Sequence, residues 1–303
     1  MKNNQEIAVE VCAYSLYSCL AADRAGADRV ELCASPYEGG TTPSTGLVKR
    51  VLADTTLEVH AMLRPRGGDF CYDVTEKQTI LAEASDLVAA GVHGLVVGAL
   101  LPNGDLDIDF LKEVKRVASG VELTCHRAID VARNPLEVME NLIHLGFARI
   151  LSSGQKDKAM DGIEALAEMV ERADGRIQLM AGSGVNPQNC TFFKQIGVNA
   201  IHLSARTVRN SLMEYRRPGI SMGGVSEISE FEVALASEEI IRQAQSVLEQ
   251  AANIKEIAKR GKDPLAGPLK LGVIYTIGPY LLPSLVRQAI AKTPQMPLML
   301  QEN

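Results

Sequence analysis

Four phrases decide how this chain is read: RAGADRV (residues 24–30), AAGVHGL (89–95), HLGFARI (144–150) and QIGVNAI (195–201). Each repeats one design, a helical stretch that ends, a glycine, one or two residues and an apolar run of strand length. Gly26, Gly91, Gly146 and Gly197 stand where a helix C-cap needs a left-handed residue, which glycine adopts without steric cost. Working outward, eight strand candidates emerge: Ile7–Ala13, Asp28–Ala34, Leu57–Leu63, Gly94–Leu101, Val121–Arg127, Ala148–Ser153, Ile177–Gly182 and Asn199–Ala205. Helical stretches such as Thr75–Ala90, Ile108–Ala118, Pro135–Leu145 and Ala159–Ala173 lie between them. Strands that alternate with helices pair in parallel, and eight such units in about 240 residues predict an α/β protein of the (β/α)8 TIM-barrel type. An open doubly wound sheet is the runner-up, with fewer strands than the eight seen here.

Composition narrows the function classes. The 303 residues are 46% hydrophobic and 22% charged, the balance expected of a soluble globular protein. A net charge of −6 argues against general binding to nucleic acid or to a membrane surface. No run has the length of a bilayer span, and Lys2–Glu6 does not read as a signal peptide. Cys12, Cys19, Cys33, Cys71, Cys125 and Cys190 are spread singly, without a CxxC pair, so a reducing cytoplasm is expected rather than a disulfide framework.

In such a barrel the chemistry lies at the C-terminal ends of the strands. Strand one offers Glu10 and Cys12 on one face, and strand two repeats the pair with Glu31 and Cys33. Strand three gives His60, Met62 and Arg64, followed by the loop LRPRGGDFCY (63–72), which adds Arg66 and Asp69. Two guanidiniums and a carboxylate beside a Gly-Gly turn suit an anionic or hydroxyl-rich molecule, or else form a loop tied down by its own Arg–Asp pair. Strand five brings Thr124 and His126, with Arg127 opposite and Asp130 beyond. Strand six ends in Ser152 and Ser153. Strand seven ends in Ser183 and Gly184, within AGSGVNP, which reads as an anion cradle or simply as a tight turn. Strand eight carries His202, Ser204 and Arg206.

So many ionisable groups on one rim predict a polar site, since buried charge is costly unless paired or used. Two chemistries fit. Cys12 and Cys33 could hold a soft metal, Cu(I), joined by His60 or His126. Alternatively His126 or Glu10 is a base, with Arg64 and Asp69 also catalytic. Glu31, His60, Arg66, Arg127, Ser153, Ser183, Gly184, His202 and Ser204 would then hold a small-molecule substrate. Taken one at a time, the histidines read equally as hydrogen-bonded core residues, the cysteines as small hydrophobes, and Glu10 and Glu31 as partners of Arg64 or Arg127.

The segments EVCAYS, GADRVELCA, EGGTTPSTG, RPRGGDFCY, HRAID, LSSGQ and HLSAR, in that order, resemble the CutC family of copper homeostasis proteins over about residues 7–225. The resemblance implies a TIM barrel, a cytoplasmic location and Cu(I) binding, with the family's copper-binding cysteines falling on Cys12 and Cys33. Residues from about 240 to 303 are similar to a LysR-type regulator of the OxyR kind, over its linker helix and the start of its effector domain. The DNA-reading and peroxide-sensing parts of that family have no counterpart here, so neither function is carried over. The expected division is a barrel over 1–240 and an appended, non-independent segment over 241–303. Thr207–Val225 is expected as a long loop able to lie over the mouth, Ser226–Ala258 as one helix, and Leu269–Ile274 as an unpaired strand. The partners expected are a metal or a small molecule, with a homodimer left open and recruitment of a partner by the tail as a third reading.

Overall fold

The computed structural model describes residues 7–217, 219–220, 229–262, 269–273 and 298–302. Eight strands alternate with seven helices. They are β1 (Ala8–Ala13), α1 (Leu16–Ala25), β2 (Arg29–Leu32), α2 (Thr45–Asp54), β3 (Glu58–Met62), α3 (Val74–Ala90), β4 (Gly94–Val96), α4 (Ile108–Val117), β5 (Glu122–Cys125), α5 (Pro135–Leu145), β6 (Arg149–Ser152), α6 (Ile163–Ala173), β7 (Gln178–Ala181), α7 (Cys190–Ile196) and β8 (Ala200–Leu203). Every strand pairs in parallel with its neighbour, and β8 pairs with β1, so the sheet closes into a TIM barrel.

The repeated glycines do what their positions predict. Gly26, Gly91, Gly146 and Gly197 have φ of 81°, 94°, 72° and 90°, and each donates its N–H back to carbonyls of the last helical turn. Helix starts are capped as well: Ser15, Ser44, Asp73, Asp107 and Asn134 accept from backbone N–H groups, and Asp73 with Glu76 forms a capping box. Outward-facing strand residues such as Val11, Leu32, Val59 and Ile150 bury against the helices. Inward-facing residues are more polar, and Glu10, Arg29, Glu31, His60, Thr124 and Arg149 are all buried within the barrel.

The strands are shorter than the apolar runs predict. Residues 97–101 and 126–127 leave the ladder at its C-terminal end, and Arg127–Val131 forms a 3-10 turn capped by His126. Beyond β8 three expectations need correcting. The region expected as a loop from Thr207 opens with β9 (Arg206–Asn210), which pairs antiparallel with β10 (Glu232–Ala236). The helix expected from Ser226 begins only at α8 (Glu238–Lys262). The hairpin is fastened to the barrel where Ala236 N–H donates to Ser18 Oγ at 3.1 Å and Ser237 N–H to Ala205 O at 2.9 Å. Of the loop proposed as a cover, 207–225, residues 218 and 221–225 lie outside the described residues.

The chain divides into two compact units, Met1–Leu248 and Glu249–Asn303. In the second, β11 (Leu269–Val273) pairs in parallel with β12 (Leu298–Glu302), so the strand expected to be unpaired has a partner. Among the described residues no helix is long and apolar enough to cross a membrane.

Candidate functional site

A cavity of about 380 Å³ opens at the C-terminal end of the barrel. Cys12, Glu31, Arg64, His126, Arg127, Ser183, Gly184, His202 and Ser204 line it, together with Tyr14, Met62, Phe70 and Arg206. Residues far apart in the chain thus share one rim, because alternation along each strand turns the same face inward.

At the floor Glu10 is the hub. It accepts from Arg29 Nε at 2.5 Å and bonds His202 Nδ1 at 2.7 Å. His202 Nε2 lies 3.6 Å from Glu31 Oε2. Burial would raise the Glu10 pKa, but the His202 hydrogen bond and the charge of Arg29 outweigh it and hold the carboxyl well below its usual range. Glu31 goes the other way: burial raises it well above its ordinary value, and only the charge of His202 pulls against this. For His202, burial favours the neutral ring, yet the charge of Glu31 and the bonds to Cys12 and Glu10 lift its pKa well above normal. The floor therefore sets Glu10, His202 and Glu31 in series, with the Glu10 pKa depressed and those of His202 and Glu31 raised.

The two cysteines lie beside this series. Among the described residues, two groups of potential ligands have donor atoms within 4.8 Å of one another: Cys12, Glu31 and Cys33, and Glu10, Glu31 and His202. Cys12 Sγ lies 3.3 Å from Tyr14 Oη, and Cys33 Sγ donates to Glu31 Oε2 at 3.6 Å. The hydrogen bond from Cys33 outweighs burial and takes the Cys12 thiol well below its ordinary pKa, with His202 adding to the effect. Burial, then the neighbouring Cys12, drives Cys33 well above it. Cys12 is thus the more acidic thiol of the pair. Met62 and Val96 pack against both.

On the other side His126 is buried with its ring 4.7 Å from that of Phe70. Its Nδ1 accepts the Ala128 N–H at 3.2 Å, so in the neutral ring the proton sits on Nε2, which has no partner. Burial, then the charge of Arg64, pushes its pKa down to about 3. His126 is therefore held as a neutral ring with its proton on Nε2. Glu10, the other candidate base, is engaged by Arg29 and His202.

Other sequence expectations fall into place differently. Arg64 donates to the carbonyls of Glu38 at 2.7 Å, Gly40 at 3.0 Å and Gly68 at 2.6 Å, and so staples two loops at the cavity edge. Arg66 and Asp69, expected at the mouth, do not line it. They pair with each other at 3.2 Å, and Arg66 also holds Glu76, so this loop is tied down by its own ion pairs. Ser153 is buried beneath the rim, donating to Asp130 at 2.9 Å. Asp130 also accepts from Ser152 Oγ at 2.6 Å and Arg127 Nε at 2.8 Å, which makes it, not Glu10 or Glu31, the partner of Arg127. His60 sits deep in the interior, below the cavity, with neither ring nitrogen hydrogen-bonded, Nε2 3.9 Å from Glu122, and its pKa pushed by burial to about 3. It is not among the cysteines' metal-binding neighbours. Arg29, Glu122 and Arg149 were not anticipated. Arg29 lies two residues before Glu31, and the period-2 pattern that singled out Glu31 and Cys33 applies equally to it.

The CutC family model matches residues 7–207. The chain belongs to the CutC family. A CutC family protein of Bacteroides fragilis is 46% identical over 227 residues, 74% of this chain and 90% of that protein. One from Parabacteroides distasonis is 43% identical over 236 residues, covering 77% and 97%. The crystal structure of a CutC from Streptococcus agalactiae, described as a copper homeostasis protein, superposes with a TM-score of 0.63 at 32% identity, over 65% of this chain and 98% of that one. Cys12, Cys33, Glu31, His126 and His202 all lie within the CutC span. The regulator-like reading of residues 240–303 draws no support from these comparisons.

Proposed function

We propose that this CutC barrel binds Cu(I) in the service of copper homeostasis, in a reducing compartment such as the cytoplasm. The observation that carries the reading is the convergence of Cys12 Sγ, Cys33 Sγ and a Glu31 carboxylate oxygen within 4.8 Å of one another beside the cavity. The donor set fits the ion: thiolates are soft ligands that favour Cu(I) over harder divalent cations, and a thioether would add to them. Met62 supplies one in the same cluster. Cys12 would act as thiolate ligand, Cys33 would lose its proton on binding, and His202 and Tyr14 would adjust the charge around the sulfurs. The copper-related description of the Streptococcus agalactiae relative supports the assignment. Anaerobic competition against a chromophoric Cu(I) chelator tests it. The wild type should take up one equivalent and the Cys12→Ser, Cys33→Ser double variant should not; equal uptake by the two would refute the proposal.

A second reading is favoured by one observation. A cavity of about 380 Å³ is larger than an ion needs and lies in the roughly 300–1,000 Å³ range of organic ligand sites. In that reading the barrel is a lyase, isomerase or hydrolase acting on an anionic or sugar-like metabolite. His126 would polarise the ligand by donating from Nε2. Turnover or thermal stabilisation in a metabolite screen, lost in His126→Ala, supports it; silence across a broad library counts against it.

A further inference from the structure

The side of the cavity built by β5, β7 and β8 carries hydrogen-bond donors that the chain itself does not use. Ser183 and Gly184 stand in consecutive left-handed conformations, with φ of 81° and 72°. The Ser183 carbonyl accepts from Ala159 N–H at 3.0 Å, and the Gly184 carbonyl from Asn189 Nδ2 at 2.9 Å and Asn186 Nδ2 at 3.2 Å. Ser183 Oγ is likewise turned away, donating to Asp157 O at 2.5 Å. Across a planar trans peptide the N–H points opposite to the preceding C=O. The amides of Gly184 and Val185 therefore face away from these partners, and both residues line the cavity. Among the described residues neither N–H has an acceptor. Two successive amides left without acceptors on the cavity lining are donors available to an anion.

Two residues of the cavity wall also hold buried polar atoms without hydrogen-bond partners. His126 Nε2 and Arg64 Nε are both without partners. Arg206 lines the cavity beside Ser204 and brings an exposed positive charge, with the Pro36 carbonyl at 3.3 Å and the Tyr37 ring 5.8 Å from its guanidinium carbon. An unmet polar group is costly where it is buried, as on Val185, His126 and Arg64.

We propose that this rim is a phosphate subsite for a small phosphorylated polyol. The phosphate monoester would accept from the Gly184 and Val185 amides with Arg206 beside it, and the hydroxyl-bearing body would extend toward the His126 ring. The inference rests on the second reading above, that the cavity takes an organic ligand, and is independent of copper at Cys12 and Cys33. Gly184 is suited to the position: a Cβ there would fall 2.8 Å from Lys158 Cδ, on a backbone that L-residues rarely adopt.

The test is a titration of the full-length, 15N-labelled protein with glycerol phosphate, glycerol, glycerate and inorganic phosphate, followed at the Gly184 and Val185 amides and the His126 ring. Glycerol phosphate should shift all three saturably, inorganic phosphate should reach the two amides more weakly, and glycerol should leave them unmoved. Arg206→Ala, a surface change, should weaken glycerol phosphate by about 10-fold, as expected for loss of one charge-assisted contact. Glycerate shifting the two amides as strongly as glycerol phosphate would overturn the choice of phosphate. Glycerol or glycerate perturbing His126 while phosphates leave both amides still would remove the subsite but keep the cavity as an organic-ligand site. Silence toward every probe would remove both.

Discussion

Glu10 and His202, paired residues on the first and last barrel strands, are joined by a 2.7 Å hydrogen bond between Glu10 Oε1 and His202 Nδ1. The seam that closes the barrel is thus also the floor of the site. The contacts run in a fixed order, from Arg29 through Glu10 and His202 to Glu31.

Glu10→Gln keeps the shape of this hub and removes its charge. Arg29 and His202 would then face a neutral amide in a buried setting, and breaking such a pair typically costs about 3–5 kcal/mol. Denaturant unfolding at neutral pH should register that loss. The deficit should shrink in acid: the Glu10 pKa is depressed in the folded state, so its stabilisation is full above the ordinary value of 4.5 and fades as pH falls toward the folded one. A loss below about 1 kcal/mol would mean that the hub is worth no more than an exposed ion pair.

Arg64→Lys tests the staple. One ammonium cannot reproduce the fork that holds the carbonyls of Glu38, Gly40 and Gly68. Amide hydrogen exchange should accelerate in residues 35–42 and 65–72 and stay unchanged in β5 to β8, with about 1–3 kcal/mol of stability lost. Unchanged exchange in both loops would show that Arg64 does not order them.

His126→Asn keeps an oxygen for the Ala128 N–H and removes the titrating ring. In the wild type the His126 pKa falls from 6.5 unfolded to about 3 folded. Between those values the unfolded chain binds a proton that the folded chain refuses, so acidification destabilises the fold. One such group contributes about 1.4 kcal/mol per pH unit. Unfolding free energies measured from pH 4 to 6 should fall more steeply in the wild type than in the variant by about that amount. Parallel lines would mean that His126 is not held neutral. His60, buried in the same way, contributes equally to both proteins and cancels.

The barrel was legible because its signals are local. A C-cap glycine, one or two residues and an apolar run recur four times, and glycine's left-handed freedom ties each to a helix end. Strand lengths were less legible, since apolar character continues past the ladder at Val97 and Leu100, which are buried against the loops. In the site, alternation placed Glu10, Cys12, Glu31 and Cys33 correctly but could not assign partners. Glu10 meets Arg29 rather than Arg64, because Arg29 enters the interior one strand away while Arg64 turns to carbonyls at the rim. Arg66 and Asp69 misled because a dense charged loop has the same composition whether it binds a ligand or itself. Beyond β8 the pattern gave no warning of the hairpin: β9 is exposed along its length and has no apolar alternation to announce it.

The most direct test of the copper assignment is a crystal of the full chain loaded anaerobically with Cu(I), with diffraction collected on both sides of the copper absorption edge. A single anomalous peak within bonding reach of Cys12 Sγ and Cys33 Sγ is the predicted result. Copper bound elsewhere, or no peak at those sulfurs under saturating Cu(I), would contradict it.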